Sequence, residues 1–268
     1  MQKNTSLASQ IASAFAVEGS VVGCTPVGSG HINVTYKVVF ESGGVRTPYI
    51  LQQIHTGAFK NPIGLMKNVR LVTEHIRRKN TAMGRDPQRS GLVVIPTRTG
   101  EDLYFDHASG CWRMYNYITG ASSFDEIDSA ERFRRAGGAF GEFAMLLSDL
   151  PGEILSETIP DFHNTAKRYE AFLSAVEEDR FSRAASALSE IEFLKNRCSE
   201  MPILVNLAGS GELPVRVTHN DTKLNNVLFD DVTGETVCVV DLDTVMPGLS
   251  LYDFGDSIRY GANTAAED

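Results

Sequence analysis

The sequence Thr218-His219-Asn220-Asp221-Thr222-Lys223-Leu224-Asn225-Asn226 is the part of the chain that most restricts the fold. Short β-branched and apolar runs lie on both sides of it, at 215–218 and 226–229, and a third run at 236–240 leads into Asp241-Leu242-Asp243. These patterns predict three short strands joined by polar loops. Asn, Asp and Thr also favour ordinary turns, but a strand before, a strand after and an acidic strand end together favour a functional site.

The residue types in this region suit the transfer of a phosphoryl group. That reaction needs a carboxylate to orient or deprotonate the attacking hydroxyl, a cation near the phosphoryl group, and oxygen ligands for Mg²⁺. Asp221 can supply the carboxylate and Lys223 the cation, while Asn226 and Asp241 can hold the metal. Asp243 either contacts the metal or supports the site from behind, and the pattern leaves both roles open.

Two further residues of this region are expected to act structurally. His219 opens the loop at 219–226, called the catalytic loop below, and a hydrogen-bonding brace is the role that its position favours. Asp253-Phe254-Gly255 has the letters of the metal-binding tripeptide of protein kinases. The metal carboxylate should, however, end the strand that pairs with the strand after the catalytic loop, and Asp241 holds that place. We therefore expect Asp253 to cap the next segment or to brace the catalytic loop.

Composition and charge exclude several classes of protein. The 268 residues are 42% hydrophobic and 22% charged, which is ordinary for a globular chain and unlike a disordered or fibrous one. A net charge of -9 argues against a broad nucleic-acid surface. No apolar run is long enough to cross a membrane, and no export signal is visible. The four cysteines lack the spacing of zinc ligands, and although two disulfides are formally open, the sequence predicts a reduced cytoplasmic protein.

The order of the elements predicts an α+β fold in two parts. Residues 1–118 combine a short N-terminal helix, a hairpin at 34–54, a helix of about four turns from Leu65 and further strands, which indicates a small sheet with one inserted helix. Residues 119–268 are mostly helical, with strands only around the catalytic loop. The small and polar residues at 119–124 are a candidate hinge.

The motifs resemble those of a known superfamily. Asp221-x-Lys223-x-x-Asn226 resembles the catalytic loop of protein kinases, and together with His219 and Asp241-Leu242-Asp243 it is more similar to the aminoglycoside phosphotransferase and choline kinase group. The resemblance implies a two-lobed kinase-like α+β fold, with an antiparallel-sheet N-lobe (1–118), a mostly helical C-lobe (119–268) and the active site between them. Over most of the chain, five segments resemble the bacterial N-acetylhexosamine 1-kinases: Gly30–Asn33, Tyr49–Gln53, Trp112–Tyr115, Asp161–Asn164 and Thr218–Asn226.

The resemblance also implies contacts for ATP in the N-lobe. Glycines before a strand, rather than before a helix, suit a loop that covers phosphates, with an ordinary hairpin turn as the alternative. Gln52 stands where protein kinases carry a lysine on the third strand, and the hexosamine kinases have the same glutamine there. Tyr115 and Tyr117 lie where such folds offer backbone groups to adenine, while periodicity alone makes them core or interface residues. The implied ATP-binding set is Gly28, Ser29, Gly30, His31, Asn33, Gln52, Tyr115 and Tyr117.

The expected activity is phosphorylation of the anomeric hydroxyl of GlcNAc or GalNAc with ATP and Mg²⁺. Asp221 would contact the sugar, and His163 is either a second sugar contact or a structural hydrogen-bond partner. Two alternatives stay open: a kinase of the same fold that acts on an amino alcohol, homoserine or an aminoglycoside, and a non-catalytic nucleotide-binding module. Because the resembling kinases continue past Asp253 with several helices, the sequence also predicts a C-terminally truncated chain that lacks part of its acceptor site.

Overall fold

The first half of the chain forms an antiparallel sheet with two helices, as seen in a computed structural model that describes residues 4–28 and 32–263. Its elements are α1 (Thr5–Ala12), β1 (Ser20–Pro26), β2 (Val34–Ser42), β3 (Val45–Gln53), α2 (Pro62–Ala82), β4 (Val94–Ile95), β5 (Tyr104–Asp106) and β6 (Gly110–Asn116). The strands run in the order β1-β2-β3-β6-β4, and β5 also pairs with β6.

The hairpin of β2 and β3 follows directly from its residue pattern. Val34, Tyr36 and Val38 alternate with more exposed residues and are buried on one face of the sheet. Gly43 and Gly44 form the turn with φ of 57° and 81°, a left-handed conformation that glycine adopts without a steric penalty. The hairpin therefore fixes the register of β3, which pairs in turn with β6.

The second half of the chain is mostly helical, with short strands near the catalytic loop. Its elements are β7 (Ala121–Ser122), α3 (Ala130–Leu146), α4 (Thr165–Glu178), α5 (Leu188–Lys195), α6 (Ile203–Gly209), β8 (Arg216–Thr218), β9 (Val227–Asp230), β10 (Thr236–Val239), β11 (Met246–Gly248) and α7 (Ser250–Ala262). β9 lies between β10 and β7, and β8 pairs with β11. The catalytic loop thus joins two small sheets, because β8 belongs to one and β9 to the other.

Two hydrophobic clusters hold these layers together. The smaller cluster joins α1 to one face of the sheet through residues such as Ile11, Phe40 and Trp112. The larger cluster contains Leu65 of α2 and Phe143 of α3, together with apolar residues of β9 and β10. One continuous core therefore spans the sheet half and the helical half of the chain.

The α+β architecture agrees with the sequence prediction, but several elements differ. α2 is 21 residues long, longer than the expected helix, because Asn61 caps its N-terminus and Pro62 occupies its first turn. The sequence analysis did not predict α6 or β11. The candidate hinge at 119–124 contains the short strand β7, which pairs with β9, and the division of the chain at 118/119 stays a prediction. In the described part of the chain, no helix has the length and apolarity needed to span a bilayer.

Candidate active site

Side chains of α7 hold the catalytic loop in place. The Asp253 carboxylate accepts hydrogen bonds from the backbone N–H groups of His219 at 2.9 Å and Asn220 at 2.7 Å. The Asp256 carboxylate accepts one from the N–H of Thr222 at 2.7 Å. Asn220 has a φ of 65°, a left-handed conformation that asparagine tolerates better than most residues. The structure therefore places Asp253 on α7 against the catalytic loop.

His219 is fully buried and connects the loop to β10. Its Nε2 lies 3.0 Å from the Val240 carbonyl, and its Nδ1 lies 3.3 Å from the backbone nitrogen of Asp221. Because the carbonyl can only accept, Nε2 carries the proton and Nδ1 accepts, a tautomer that follows from the hydrogen-bond network. The rings of Phe140 and Phe143 pack edge-on against the imidazole, with centroids 5.3 and 5.5 Å away. This enclosed histidine orients the backbone just before Asp221.

Asp221, Lys223 and Asn226 form one polar cluster. The Lys223 ammonium lies 3.3 Å from Oδ1 of Asp221. The Asn226 amide nitrogen donates to Oδ2 of Asp221 at 3.0 Å and to its backbone carbonyl at 2.8 Å. Since the amide nitrogen makes both bonds, the amide oxygen is not used by them. The Asp221 side chain is about one quarter exposed, so a partly solvent-accessible carboxylate is held between a cation and an amide.

Asp241 follows β10, and the charges of this cluster act on its carboxylate. Its φ of 58° turns the chain sharply into the segment 242–244. The Asp241 residue is exposed to solvent, but nearby protein atoms reduce the hydration of its carboxylate, and this effect together with the like charge of Asp243 raises the pKa of Asp241 to about 7. The charges of Asp221 and Lys223 also act on it. An acid crowded by other acids in this way is suited to a divalent cation, which relieves their repulsion.

Asp243 lies deeper than Asp241 and has protein partners on both oxygens. Its Oδ1 lies 2.5 Å from Nη1 of Arg113, and its Oδ2 accepts a hydrogen bond from the Asn33 amide at 2.7 Å. The Asn33 amide oxygen accepts in turn from the backbone N–H of His55 at 3.0 Å. The side chain of Asp243 is only 4% exposed. The structure thus connects the segment before β2 directly with the loop that carries Asp241.

The remaining residues of the predicted ATP-binding set are distributed over the sheet half. Gln52 on β3 donates to Thr35 at 3.0 Å and accepts from Nε of Arg113 at 3.0 Å. The Tyr115 side chain is buried in the larger core cluster, and burial raises its pKa, so the side chain itself is a core group. Tyr117 is half-buried, with the Lys37 ammonium 4.3 Å from its ring centroid. Gly28 has a φ of 78°, and the predicted contacts Ser29, Gly30 and His31 lie outside the described residues.

His163 lies on the other side of the catalytic loop, next to α7. Its Nε2 donates to the Asn220 carbonyl at 3.0 Å. The ring centroids of Phe162 and Tyr252 lie 4.7 and 5.0 Å from its own. The structure therefore brings this aromatic group to the residue just before Asp221.

Arg113, Asp256 and Thr244 contribute to the site without having been predicted from the sequence. Thr244 donates from its hydroxyl to the His219 carbonyl at 2.7 Å. A signal for Arg113 was present, because a lone arginine among the apolar residues of β6 requires a buried carboxylate partner. Asp256 gave no comparable signal, since a carboxylate near the start of a helix is common.

The donor set can be tested for its fit to Mg²⁺. Among residues 4–28 and 32–263, no three His, Cys, Asp or Glu side chains lie together in a group that could hold a metal ion by itself. Mg²⁺ in nucleotide sites is usually held by one or two protein oxygens, with water and phosphates completing the shell. The Asp241 carboxylate and the amide oxygen of Asn226 can supply such a pair, so the residues fit this kind of site.

The antiparallel sheet, the helical half and the catalytic loop together define a protein-kinase-like fold, as the sequence predicted. The chain belongs to the phosphotransferase enzyme family (APH), whose profile matches residues 23–267. It is therefore a phosphotransferase of this family, which confirms the prediction at this level.

Several solved structures share the fold at low sequence identity. An aminoglycoside phosphotransferase from Alicyclobacillus acidocaldarius has a TM-score of 0.55 and 12% identity, over 94% of this chain and 71% of that one. Spectinomycin phosphotransferase in complex with ADP and spectinomycin has a TM-score of 0.53 and 14% identity, over 100% of this chain and 82% of that one. Ethanolamine kinase from Plasmodium vivax has a TM-score of 0.52 and 15% identity, over 88% and 61% respectively.

Proposed function

We propose that this phosphotransferase moves the γ-phosphoryl group of ATP to the anomeric hydroxyl of GlcNAc or GalNAc and releases ADP and the sugar 1-phosphate. The observation that carries the proposal is the cluster of Asp221, Lys223 and Asn226 beside Asp241. Spectinomycin phosphotransferase, which shares the fold, was crystallised with ADP, and this supports a nucleotide as the donor. The sugar assignment is supported by the five hexosamine-kinase-like segments of the sequence.

The residues of the cluster have separate parts in this reaction. The Asp221 carboxylate accepts the hydrogen bond of the attacking hydroxyl, orients its oxygen towards the γ-phosphorus, and takes the proton as the new P–O bond forms. The Lys223 ammonium stabilises the negative charge of the phosphoryl oxygens. Asn226 and Asp241 would hold Mg²⁺, which supplies neutralisation of phosphate charge when it is bound. Positioning and electrostatic stabilisation provide most of the rate, because these groups are already in place before the reaction.

The acceptor is proposed to bind beside His163. Phe162, His163 and Tyr252 form an aromatic group next to the catalytic loop. Small-molecule sites commonly combine apolar rings with a few polar groups that fix orientation. We expect His163→Gln to raise the KM for the sugar several-fold and to leave the KM for ATP unchanged. His107→Gln, at an exposed position of the N-lobe, is the matched control, and equal changes in the two KM values would contradict this placement.

A panel of acceptors tests the proposed function. GlcNAc, GalNAc, glucose, choline, ethanolamine, homoserine and an aminoglycoside are each incubated with ATP and Mg²⁺, and acceptor-dependent formation of ADP is measured. The proposal predicts the highest kcat/KM for one of the two N-acetylhexosamines, with glucose as the control for the acetamido group. A higher kcat/KM for an amino alcohol, homoserine or the aminoglycoside would replace the sugar assignment and keep the kinase. Binding of Mg·ATP without turnover on any acceptor would favour the nucleotide-binding module.

A further inference from the structure

Arg113 is an arginine in the interior of the sheet. It lies on β6, where its neighbours Trp112 and Met114 belong to the smaller core cluster, and its own side chain is 1% exposed. β6 pairs with β3 in a register that puts Arg113 directly opposite Gln52. Kinases of this general fold carry a lysine at the position of Gln52. The positive charge therefore enters the site from the neighbouring strand instead.

The guanidinium of Arg113 is directed at the loop that carries the acidic residues. Nη1 lies 2.5 Å from Oδ1 of Asp243, and Nε donates to Gln52 at 3.0 Å. Burial alone would lower the pKa of Arg113, but the neighbouring carboxylate of Asp243 raises it above the ordinary value. The arginine is therefore charged, and Gln52 acts as a second fixed point for its planar group.

Both carboxylate oxygens of Asp243 already contact protein side chains. Arg113 reaches Oδ1 and the Asn33 amide reaches Oδ2, so a metal ion would have to displace or share these partners. Oδ1 makes no aligned hydrogen bond among the described residues, so its contact with Arg113 is an ion pair. Asp241 differs from Asp243, because it is exposed to solvent and is influenced by the charges of Asp221 and Lys223.

Fixing Asp243 also fixes Asp241, since the two residues are joined by a tight turn. The backbone at Asp241 is left-handed, and the one-turn helix 242–244 follows immediately. Thr244, at the end of this turn, is bonded to the His219 carbonyl. The turn is therefore anchored to the N-lobe sheet at Asp243 and to the catalytic loop at Thr244, with Asp241 at its start.

We propose that Arg113 is a positioning residue for Mg·ATP: it anchors Asp243 to the sheet and so holds the turn in which Asp241, and not Asp243, is the carboxylate that meets the metal. This inference rests on the proposed function only for the presence of a Mg·ATP site. It does not depend on the acceptor. Ligand-supporting partners of this kind typically change metal affinity by about 10- to 100-fold when they are removed.

The test measures the Mg²⁺ concentration that half-saturates ATP binding, by calorimetry without any acceptor. We expect Arg113→Met to raise it by about 10-fold or more, Arg113→Lys to recover part of the loss, and Asp241→Asn to have the largest effect. Arg134→Met, which removes an exposed arginine paired with Glu131, is the control and should match the wild type. Thermal unfolding of each variant is recorded in parallel.

A double variant separates positioning from stability. Arg113→Met with Asp243→Asn leaves no unpaired buried charge, so its melting temperature should exceed that of Arg113→Met, while its requirement for Mg²⁺ should stay raised. Gln52→Leu, which keeps the ion pair and removes only one partner of Arg113, should shift the requirement by a few-fold. The proposal would be overturned if Arg113→Met had the same requirement for Mg²⁺ as the wild type. It would also be overturned if the double variant regained both wild-type stability and the wild-type requirement for Mg²⁺. Tighter Mg²⁺ binding in Arg113→Met would overturn it as well, because it would show that a released Asp243 is itself a ligand.

These readouts are independent of the acceptor panel. If no N-acetylhexosamine is phosphorylated, the Arg113 effect on Mg·ATP binding still stands or fails by itself. If the Arg113 effect is missing, the acceptor specificity is unaffected.

Discussion

The catalytic loop and the helices α4 to α6 are built in opposite ways. In the catalytic loop, His219, Asn220 and Thr222 are buried polar residues, and each has hydrogen-bond partners on α7 or on the turn at 241–244. In the helical segment, α4 and α6 contain no buried residue, and α5 contains only Ile191. The catalytic loop is therefore fixed by satisfied polar contacts, whereas α4 to α6 have little core of their own.

This difference indicates where each property of the protein resides. Phosphoryl transfer requires groups held within a fraction of an ångström, and a satisfied network of buried hydrogen bonds provides that rigidity. A segment with few buried side chains contributes little to stability and tolerates substitution. We therefore expect changes in the catalytic loop to affect turnover strongly, and changes in α4 to α6 to have small effects on stability.

The largest effect is expected from Asp221→Asn. The amide keeps the size of the side chain but cannot take the proton of the attacking hydroxyl, so kcat should fall by about 10³-fold. Steady-state turnover measures the loss, and calorimetry should show nearly unchanged binding of Mg·ATP. Asp231→Asn, at an exposed position after β9, is the control and should keep wild-type kcat. A fall of less than a few-fold in Asp221→Asn would remove Asp221 from the catalytic role.

Substitution of one phenylalanine in each region measures how much that region contributes to stability. Phe143 is 4% exposed and packs against His219, whereas Phe193 on α5 is 54% exposed. Phe143→Ala should lower the free energy of unfolding by about 3–5 kcal/mol through loss of buried area and the cavity left behind. Phe193→Ala should change it by less than about 0.5 kcal/mol. Chemical denaturation measures both values, and similar losses in the two variants would contradict the contrast drawn above.

Asp253→Asn tests the support of the loop by α7. Each carboxylate oxygen of Asp253 accepts one backbone N–H, and an amide leaves one of these donors facing an NH₂ group. We expect a loss of about 1–3 kcal/mol in the free energy of unfolding, with a lower kcat and little change in the KM for ATP. Asp231→Asn again serves as the control. A stable variant with wild-type kcat would show that this brace is dispensable.

The smallest effect concerns acid stability at a contact between α2 and the residues after α3. Hydrogen bonds from Lys79 and then from His75 lower the pKa of Asp149 from 3.8 to about 2. Because the folded-state pKa is lower than the unfolded one, this contribution to stability is present above about pH 4 and is lost as the pH falls towards 2. Asp149→Asn should therefore lose less stability than the wild type when acidified over this interval. Parallel curves from denaturation at several pH values would contradict the assignment.

The candidate site was predictable where its chemistry is local in sequence. Asp221, Lys223 and Asn226 lie within one loop between two strands, and the structure brings their side chains together. The hairpin of β2 and β3 was predictable for the same reason, because alternation and a pair of glycines specify it locally.

The parts that sequence reasoning missed depend on contacts between distant segments. Arg113 and Asp243 are 130 residues apart in the chain, and the ion pair between them is a tertiary contact that no local pattern predicts. β11 was missed because Met246-Pro247-Gly248 has poor strand propensity, yet it pairs with β8, the strand that leads into the catalytic loop. Tertiary pairing overrides propensity at this position.

Phosphorus-31 NMR of the wild-type reaction distinguishes sugar phosphorylation from hydrolysis of ATP and from inactivity. The protein is incubated with ATP, Mg²⁺ and GlcNAc or GalNAc, and the phosphorus resonances are followed with time. We expect the γ-phosphate signal of ATP to be replaced by that of a sugar 1-phosphate, in equal amount to the ADP formed. Inorganic phosphate in place of a sugar phosphate, or an unchanged ATP spectrum with both sugars, would contradict the proposed function.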